Sequence, residues 1–179
     1  MAQIRVPDPV KLFVGVLTSL PSLLPEIEEE LVRCFGAVDF RSGQLLFDFT
    51  DYYDSEMGTP IYRFFLSFEH LIEPSEIAGI KVATNGIEGT FAEKHVEVPR
   101  PVNLDPGYLE QSKIVLASTK NFFHRILVAE GIYAEVTLHF QGGEWRAFPW
   151  TFPDYKSTAY QEFFSAIRKL YRTQLRCRG

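Results

Sequence analysis

Ile132-Tyr133-Ala134-Glu135-Val136-Thr137-Leu138-His139-Phe140 sets the fold class of this chain. Apolar Ile132, Ala134, Val136, Leu138 and Phe140 alternate with Tyr133, Glu135, Thr137 and His139. Successive strand side chains point to opposite faces, so a period of two predicts a strand with one packed face and one wet or functional face. Glu130-Gly131 joins it to Arg125–Val128, and Gln141-Gly142-Gly143 joins it to Trp145–Phe148, which predicts a three-strand meander. Beyond it, Ser157 caps a closing helix whose Tyr160, Phe163, Phe164, Ile167, Leu170 and Tyr171 keep helical spacing.

Upstream, Lys11 to Thr18 is a nearly continuous apolar run, the pattern of a strand buried on both faces. Ser22 opens a helix running to about Phe35, with Leu24, Ile27, Leu31 and Phe35 on one stripe and Gly36 as its stop. A strand pair, Val38–Phe40 and Leu45–Phe49, follows around Ser42-Gly43. Ile61 to Leu71 is a further strand, with Tyr62, Phe64, Leu66 and Phe68 along one face. Glu73-Pro74-Ser75 then opens a helix with Ile77, Ile80, Thr84, Ile87 and Phe91 on its stripe. Val102–Leu104 reads as a strand ended by an Asp105-Pro106-Gly107 turn, and Tyr108–Ser118 is ambiguous between helix and strand. The order β-α-β-β-α-β predicts an α+β fold. Its first part reads as a ferredoxin-like (split βαβ), mostly antiparallel sheet, extended by the C-terminal meander and closed by a C-terminal helix. No linker or repeat divides it, so one domain over residues 1–179 is expected, with 173–179 as a frayed basic tail.

Composition narrows the function classes. With 179 residues and 46% hydrophobic content the chain can bury a substantial core. A net charge of −5 argues against general nucleic-acid binding, which needs many cation–phosphate contacts. No stretch approaches the length of a membrane span, and no signal-peptide run is present, so a soluble cytoplasmic protein is expected. Cys34 and Cys177 form no disulfide framework or metal motif. After Glu162 there is no acid, while Arg168, Lys169, Arg172, Arg176 and Arg178 crowd the C-terminus. A solvated helix end accounts for this run, its cations suiting the negative end of the helix dipole; a partner-binding tail is the alternative.

Two polar-aromatic segments are the candidates for chemistry. Asp48, Asp51, Asp54 and Glu56 fall in one loop with Tyr52 and Tyr53, and clustered carboxylates suit a hard cation such as Mg²⁺. Their spacing does not match the calcium-binding loop, and a solvated acidic loop is the simpler reading. Asn103, Asp105 and Tyr108 would be presented to a ligand at the sheet rim, although turn chemistry also explains them. Lys113, Lys120 and Arg125 could hold a phosphate or carboxylate. His124 and Glu135 are the acid–base candidates. If Glu130-Gly131 is a two-residue hairpin turn, Ala129 faces Ile132, and Glu135 lies diagonal to His124 and beside Tyr133 on one face. A bulged turn would shift that parity and separate the pair. Trp150, Asp154 and Tyr155 lie in a Pro-bracketed segment that staples the last helix, with aromatic content enough for a pocket wall. Phosphate-loop, dinucleotide-fingerprint and nucleophile-elbow motifs are all absent.

Taken in order, these segments resemble a bacterial family, domain of unknown function family 4416. The resemblance rests on Pro9-Val10-Lys11-Leu12-Phe13-Val14-Gly15, Phe47-Asp48-Phe49-Thr50-Asp51-Tyr52-Tyr53 and Glu56-Met57-Gly58. It continues through Asn103-Leu104-Asp105-Pro106-Gly107-Tyr108, Ser112-Lys113, His124-Arg125-Ile126 and Gly131-Ile132-Tyr133-Ala134-Glu135-Val136, and closes with Trp150-Thr151 and Pro153-Asp154-Tyr155. It implies a soluble, single-domain bacterial protein and supplies no site residues.

Three readings follow. The first is a site for a small anionic ligand, a nucleotide or phosphorylated metabolite, with a divalent cation on the acidic loop and possible acid–base work by His124 and Glu135. The second is a non-catalytic protein-interaction module using the aromatic-acidic loop and the basic tail. In the third, both segments are structural turns. Convergence of the two segments in one cleft favours the first.

Overall fold

Leu12 to Leu17 contains no polar side chain, and the strand it builds, β1 (Val10–Thr18), is buried along its whole length at the centre of the sheet. The structure, a computed structural model, describes residues 3–177. After β1 come α1 (Leu24–Phe35), β2 (Val38–Arg41), β3 (Leu45–Phe47), the short α2 (Asp54–Met57), β4 (Ile61–Ile72) and α3 (Ile77–Lys94). β5 (Asn103–Leu109), β6 (Lys113–Ser118), β7 (Ile126–Ala129), β8 (Ile132–Gln141), β9 (Glu144–Ala147) and α4 (Thr158–Arg176) complete the order. The strands form one nine-stranded sheet in the order β2-β4-β1-β5-β6-β8-β7, with β3 alongside β4 and β9 alongside β8. The pairings are antiparallel, and the architecture is mixed α+β with a C-terminal helix, as expected.

Strand alternation sorts the core onto two faces. Val10, Leu12, Val14 and Val16 of β1 and Phe64, Leu66 and Phe68 of β4 pack under Ile27 and Leu31 of α1 and Ile80, Ile87 and Phe91 of α3. On the opposite face Phe13 and Phe65 meet Phe163, Phe164, Ile167 and Tyr171 of α4. The rings of Phe65 and Phe163 stack with centroids 5.0 Å apart. Burying one such side chain contributes about 1.5–3 kcal/mol, so the ring-rich stripe of α4 is what holds it down. Ser157 caps α4 as predicted, its hydroxyl accepting from the Tyr160 amide. No helix among the described residues is long and apolar enough to cross a membrane.

Several expectations need correction. Ser22 does not cap α1, because a 3-10 turn over Pro21–Leu23 precedes the helix. β2 and β3 do not pair with each other. Each lies along a different stretch of β4, where Ser42 between them accepts from the Phe65 amide. The stretch from residue 173 does not fray at once: α4 runs to Arg176, and Gln174 is tied to Lys11 and to the Glu69 carbonyl. Arg178 and Gly179 lie outside the described residues.

The most consequential correction is at Asp105-Pro106-Gly107, which is no turn. These residues sit in the middle of β5, opposite Gly15, Val14 and Phe13 of β1. Pro and Gly serve here for reasons other than bending the chain. Leu104 gives its N–H to Glu88 at 2.8 Å and its carbonyl receives Lys81 at 2.7 Å, so its backbone faces away from β1, toward β6. Backbone direction alternates along an antiparallel strand, so Pro106 also turns its nitrogen toward β6, where it has no N–H to give. Pairing between β5 and β6 accordingly covers only Gly107–Leu109, and the strands part beyond it. Gly107 is needed for close approach: a Cβ there would lie 2.6 Å from the Val115 carbonyl and 2.7 Å from the Phe13 ring. Gly107→Ala should therefore destabilise the fold by about 1–3 kcal/mol in urea denaturation. An unchanged midpoint would contradict the close approach of β5 to β6.

Candidate functional site

The parting of β5 and β6 opens a cleft of about 550 Å³. Asn103 and Asp105 of β5 form one side, and Leu116, Ala117 and Ser118 of β6, with Lys120 beyond them, form the other. Phe47, Phe49, Tyr52 and Tyr53 wall it from the segment after β3, and Phe152, Pro153, Asp154 and Tyr155 from the segment before α4. Arg63, Lys81, Arg100, Arg125 and Glu135 complete the lining.

The floor is organised by Arg63 of β4, a side chain only 3% exposed. It reaches across β1 at Gly15, where a Cβ would lie 2.7 Å from its Nη1. Nη1 donates to Asp105 Oδ2 at 2.8 Å, and Nη2 lies 3.5 Å from Asp154 Oδ2. The guanidinium sits 5.5–6.0 Å from the ring centroids of Phe47, Phe65 and Tyr160. Buried polar atoms without a partner gather here: Arg63 Nε, Asn103 Nδ2, Tyr155 Oη and Tyr160 Oη. Burial pushes the Tyr160 phenol up to about 12 despite the opposing Arg63 charge, and also raises the Tyr155 phenol well above its ordinary value.

The two floor carboxyls diverge. Burial raises Asp154 above the usual carboxylate range, and the Arg63 charge only partly offsets it. Burial also acts to raise Asp105, but the nearby Arg63 and Lys81 charges outweigh it and hold the group low. Glu88 of α3 is likewise raised by burial, with Lys81 at 3.5 Å and Arg100 at 3.7 Å. Arg100 also binds Asn103 Oδ1 and lies 3.3 Å from Glu56.

At the mouth, Phe49, Tyr52 and Phe152 are exposed rings. Lys120 Nζ donates to Tyr52 Oη at 2.6 Å. Arg125 gives Nε to Glu135 Oε2 at 2.7 Å and Nη1 to Ser118 Oγ and the Lys120 carbonyl. Glu135, buried, also receives Thr137 Oγ1 and lies 2.9 Å from His124 Nε2.

The His124–Glu135 contact is present, but by a different route from the one anticipated. Glu130 and Gly131 both have positive φ, the two-residue hairpin geometry, and Ala129 pairs with Ile132. A bulge at Val128 then shifts the register, and His124 precedes β7 in a turn closed by the Arg125 amide on the Phe122 carbonyl. Its imidazole stacks on Trp150 at 5.4 Å, behind Glu135 and outside the cleft lining, with Nδ1 buried and unpartnered.

Of the other anticipated residues, Asn103, Asp105, Lys120, Arg125 and Glu135 line the cleft. Tyr108 packs on the α3 side of the sheet, Lys113 is held by Glu110, and Tyr133 lies outside the lining. Asp48, Asp51, Asp54 and Glu56 are exposed and none lines the cleft. Among the described residues no group of three or more His, Cys, Asp or Glu side chains is gathered as a metal site. Sequence reasoning missed Arg63, Lys81 and Arg100. The signal was available for Arg63: an arginine that alternates with the Tyr62/Phe64 face, beside Phe65, must sit on the second buried face of an apolar strand.

Residues 8–171 match the family described as Domain of unknown function (DUF4416). The chain belongs to that family. No curated protein and no solved structure matches it.

The opposite shifts at the floor have opposite consequences for stability. Asp105, held low, contributes stability above its ordinary pKa and loses it as pH falls through its folded value. Asp154, held high, makes folding costlier as pH rises from its ordinary value through its raised one. Urea denaturation near pH 7 should therefore find Asp105→Asn destabilised and Asp154→Asn unchanged or more stable. Equal losses in both would refute the divergence. Arg63→Met, which leaves buried Asp154 and half-buried Asp105 without the guanidinium between them, should cost roughly 3–5 kcal/mol.

Proposed function

We propose that the cleft binds a small organic anion of the nucleotide or phosphorylated-metabolite class. The observation that carries this is the charge of the lining. Arg63, Lys81, Arg100, Lys120 and Arg125 face Asp105, Glu135 and Asp154, an excess of two positive charges on a chain whose net charge is −5. Unpartnered donors at the floor and exposed rings at the mouth support a ligand with both an oxygen-rich end and an apolar or planar part. Lys120 and Arg125, at the mouth, add to the attraction that draws the anion into the cleft. Glu135 aims Arg125, and His124, stacked on Trp150, buttresses Glu135. We also infer that β2-β4-β1-β5 with α1 and α3 form a ferredoxin-like split βαβ core, a reading supported by the strand order and by the shared face of the two helices.

Thermal denaturation with a panel of nucleotides, sugar phosphates and phenyl phosphate tests the proposal. A ligand at about 100 times its Kd adds roughly 2.7 kcal/mol, an easily read rise in Tm. Lys120→Ala, at an exposed position, should keep the fold and weaken binding about tenfold, the equivalent of roughly 1.4 kcal/mol. A panel with no rise sinks the reading.

A second reading, a protein-interaction module, is favoured by a different surface from the one expected. Phe122, Phe123, Ile126, Leu127 and Val128 are exposed together on and beside β7, at the edge of the sheet. An open apolar edge strand is a template for another strand. Light scattering should then show concentration-dependent assembly that Leu127→Glu disperses. A monomer at every concentration excludes self-association through this edge.

A further inference from the structure

We propose that the oxyanion end of the ligand binds Arg63 by displacing Asp154, and that Asp154 takes up a proton as it is displaced. This rests on the reading of the cleft as an anion site, and it names where the charged group goes and what must change to admit it.

A guanidinium offers two forked edges that match the two oxygens of a carboxylate or phosphate. In Arg63 these edges are unequally used. Nη1 is committed to Asp105 at 2.8 Å. On the other edge, Nε has no partner and Nη2 lies 3.5 Å from Asp154, beyond a good hydrogen bond, with the Tyr160 hydroxyl nearby. That edge belongs to a cleft-lining side chain, is buried, and carries an unmet donor. An unmet buried donor costs free energy, which an oxygen placed there recovers. Asp154 is the side chain that holds the edge when no ligand does. It stands in a short 3-10 turn, Asp154–Lys156, between β9 and α4, and no strand pairing fixes it.

Charge dictates the proton. Asp154 faces Arg63 from β4, Asp105 from β5, Tyr155 from its own turn and Tyr160 from α4. Lys81 and Arg63 balance Asp105 and Asp154, so the floor is neutral with both acids ionised. An anion seated on Arg63 would be a third negative group around one guanidinium, and a displaced, still ionised Asp154 beside it would meet repulsion that low dielectric magnifies. One carboxyl must be neutralised. Asp105 is pinned to Nη1 and stays ionised, whereas Asp154, buried and met by Arg63 only at 3.5 Å, is raised despite the backbone amides of its own turn and is already inclined to protonate. Glu135 is the other buried acid lining the cleft, but it accepts Arg125 Nε at 2.7 Å; half-buried Glu88, behind the lining, accepts the Leu104 amide at 2.8 Å and has Lys81 beside it. Net uptake of one proton makes affinity fall as pH rises.

Calorimetric titration with phenyl sulfate, whose charge does not change near neutrality, separates the protein's proton from the ligand's. Titrations in buffers of different ionisation enthalpy should report about one proton taken up per anion bound, and affinity should fall about tenfold per pH unit between about pH 6 and 8. Asp154→Asn should bind with no proton uptake and a flat pH profile. Glu88→Gln should keep the wild-type uptake. Binding without proton uptake in the wild-type protein, uptake retained in Asp154→Asn, or no binding of phenyl sulfate overturns the displacement. The phosphorylated panel decides separately whether the cleft is an anion site at all, so the two failures are distinguishable. Should Asp154→Asn fail to fold, the proton count and pH slope of the wild-type protein still decide.

Discussion

The ion pair of Arg63 and Asp105 ties three strands together over one glycine. Arg63 belongs to β4 and Asp105 to β5, and between them β1 offers Gly15, the residue that leaves room for the guanidinium. Any side chain there would occupy the place of Nη1. Because the pair crosses the central strand, it fixes the relation of β4 to β5 and brings a full positive charge under the aromatic face of α4. Desolvating two charges is costly, and apolar replacements of such pairs often leave stability unchanged or raise it. The pair is therefore better explained by the cleft whose floor it makes than by the stability of the fold.

The cleft itself comes from a local failure of pairing. A sheet that continued its β5–β6 ladder would close over the space where Asp105 and Ser118 stand. Pro106 denies the ladder its next donor, and α3 supplies Lys81 and Glu88 to satisfy the Leu104 backbone that β6 leaves open. A similar solution recurs at the far edge of β8. There β7 and β9 share one side, and Trp150 Nε1 and Thr151 Oγ1 take the Val136 and Thr137 carbonyls between them. In both places side chains replace a missing strand. At β5 the replacement leaves a polar opening, and at β8 a sealed edge.

Much of the fold was legible in the residues. Period-two alternation located β8, the unbroken apolar run located β1, and helical stripes located α3 and α4, because burial on one face leaves a periodic record. The turn assigned to Asp105-Pro106-Gly107 was wrong for an instructive reason. Pro and Gly are turn residues when the chain must bend, but here Pro106 ends a ladder and Gly107 clears a contact, and both needs arise only when neighbouring strands are in place. The site was legible in part. Asn103, Asp105, Lys120, Arg125 and Glu135 were anticipated and line the cleft, whereas the carboxylates after β3 turn outward and the tyrosines of that loop turn in.

What the sequence determined alone is the set of elements and the two polar-aromatic segments, since periodicity, capping and composition are properties of neighbours along the chain. Only the tertiary structure decided that these segments share a cleft, that Arg63 is its centre and that His124 stands behind Glu135. Those outcomes depend on strand order, on a one-residue bulge at Val128 and on the lengths of side chains reaching across a sheet. No local pattern encodes such distances, because the residues they join lie as far apart in the chain as Arg63 and Asp154.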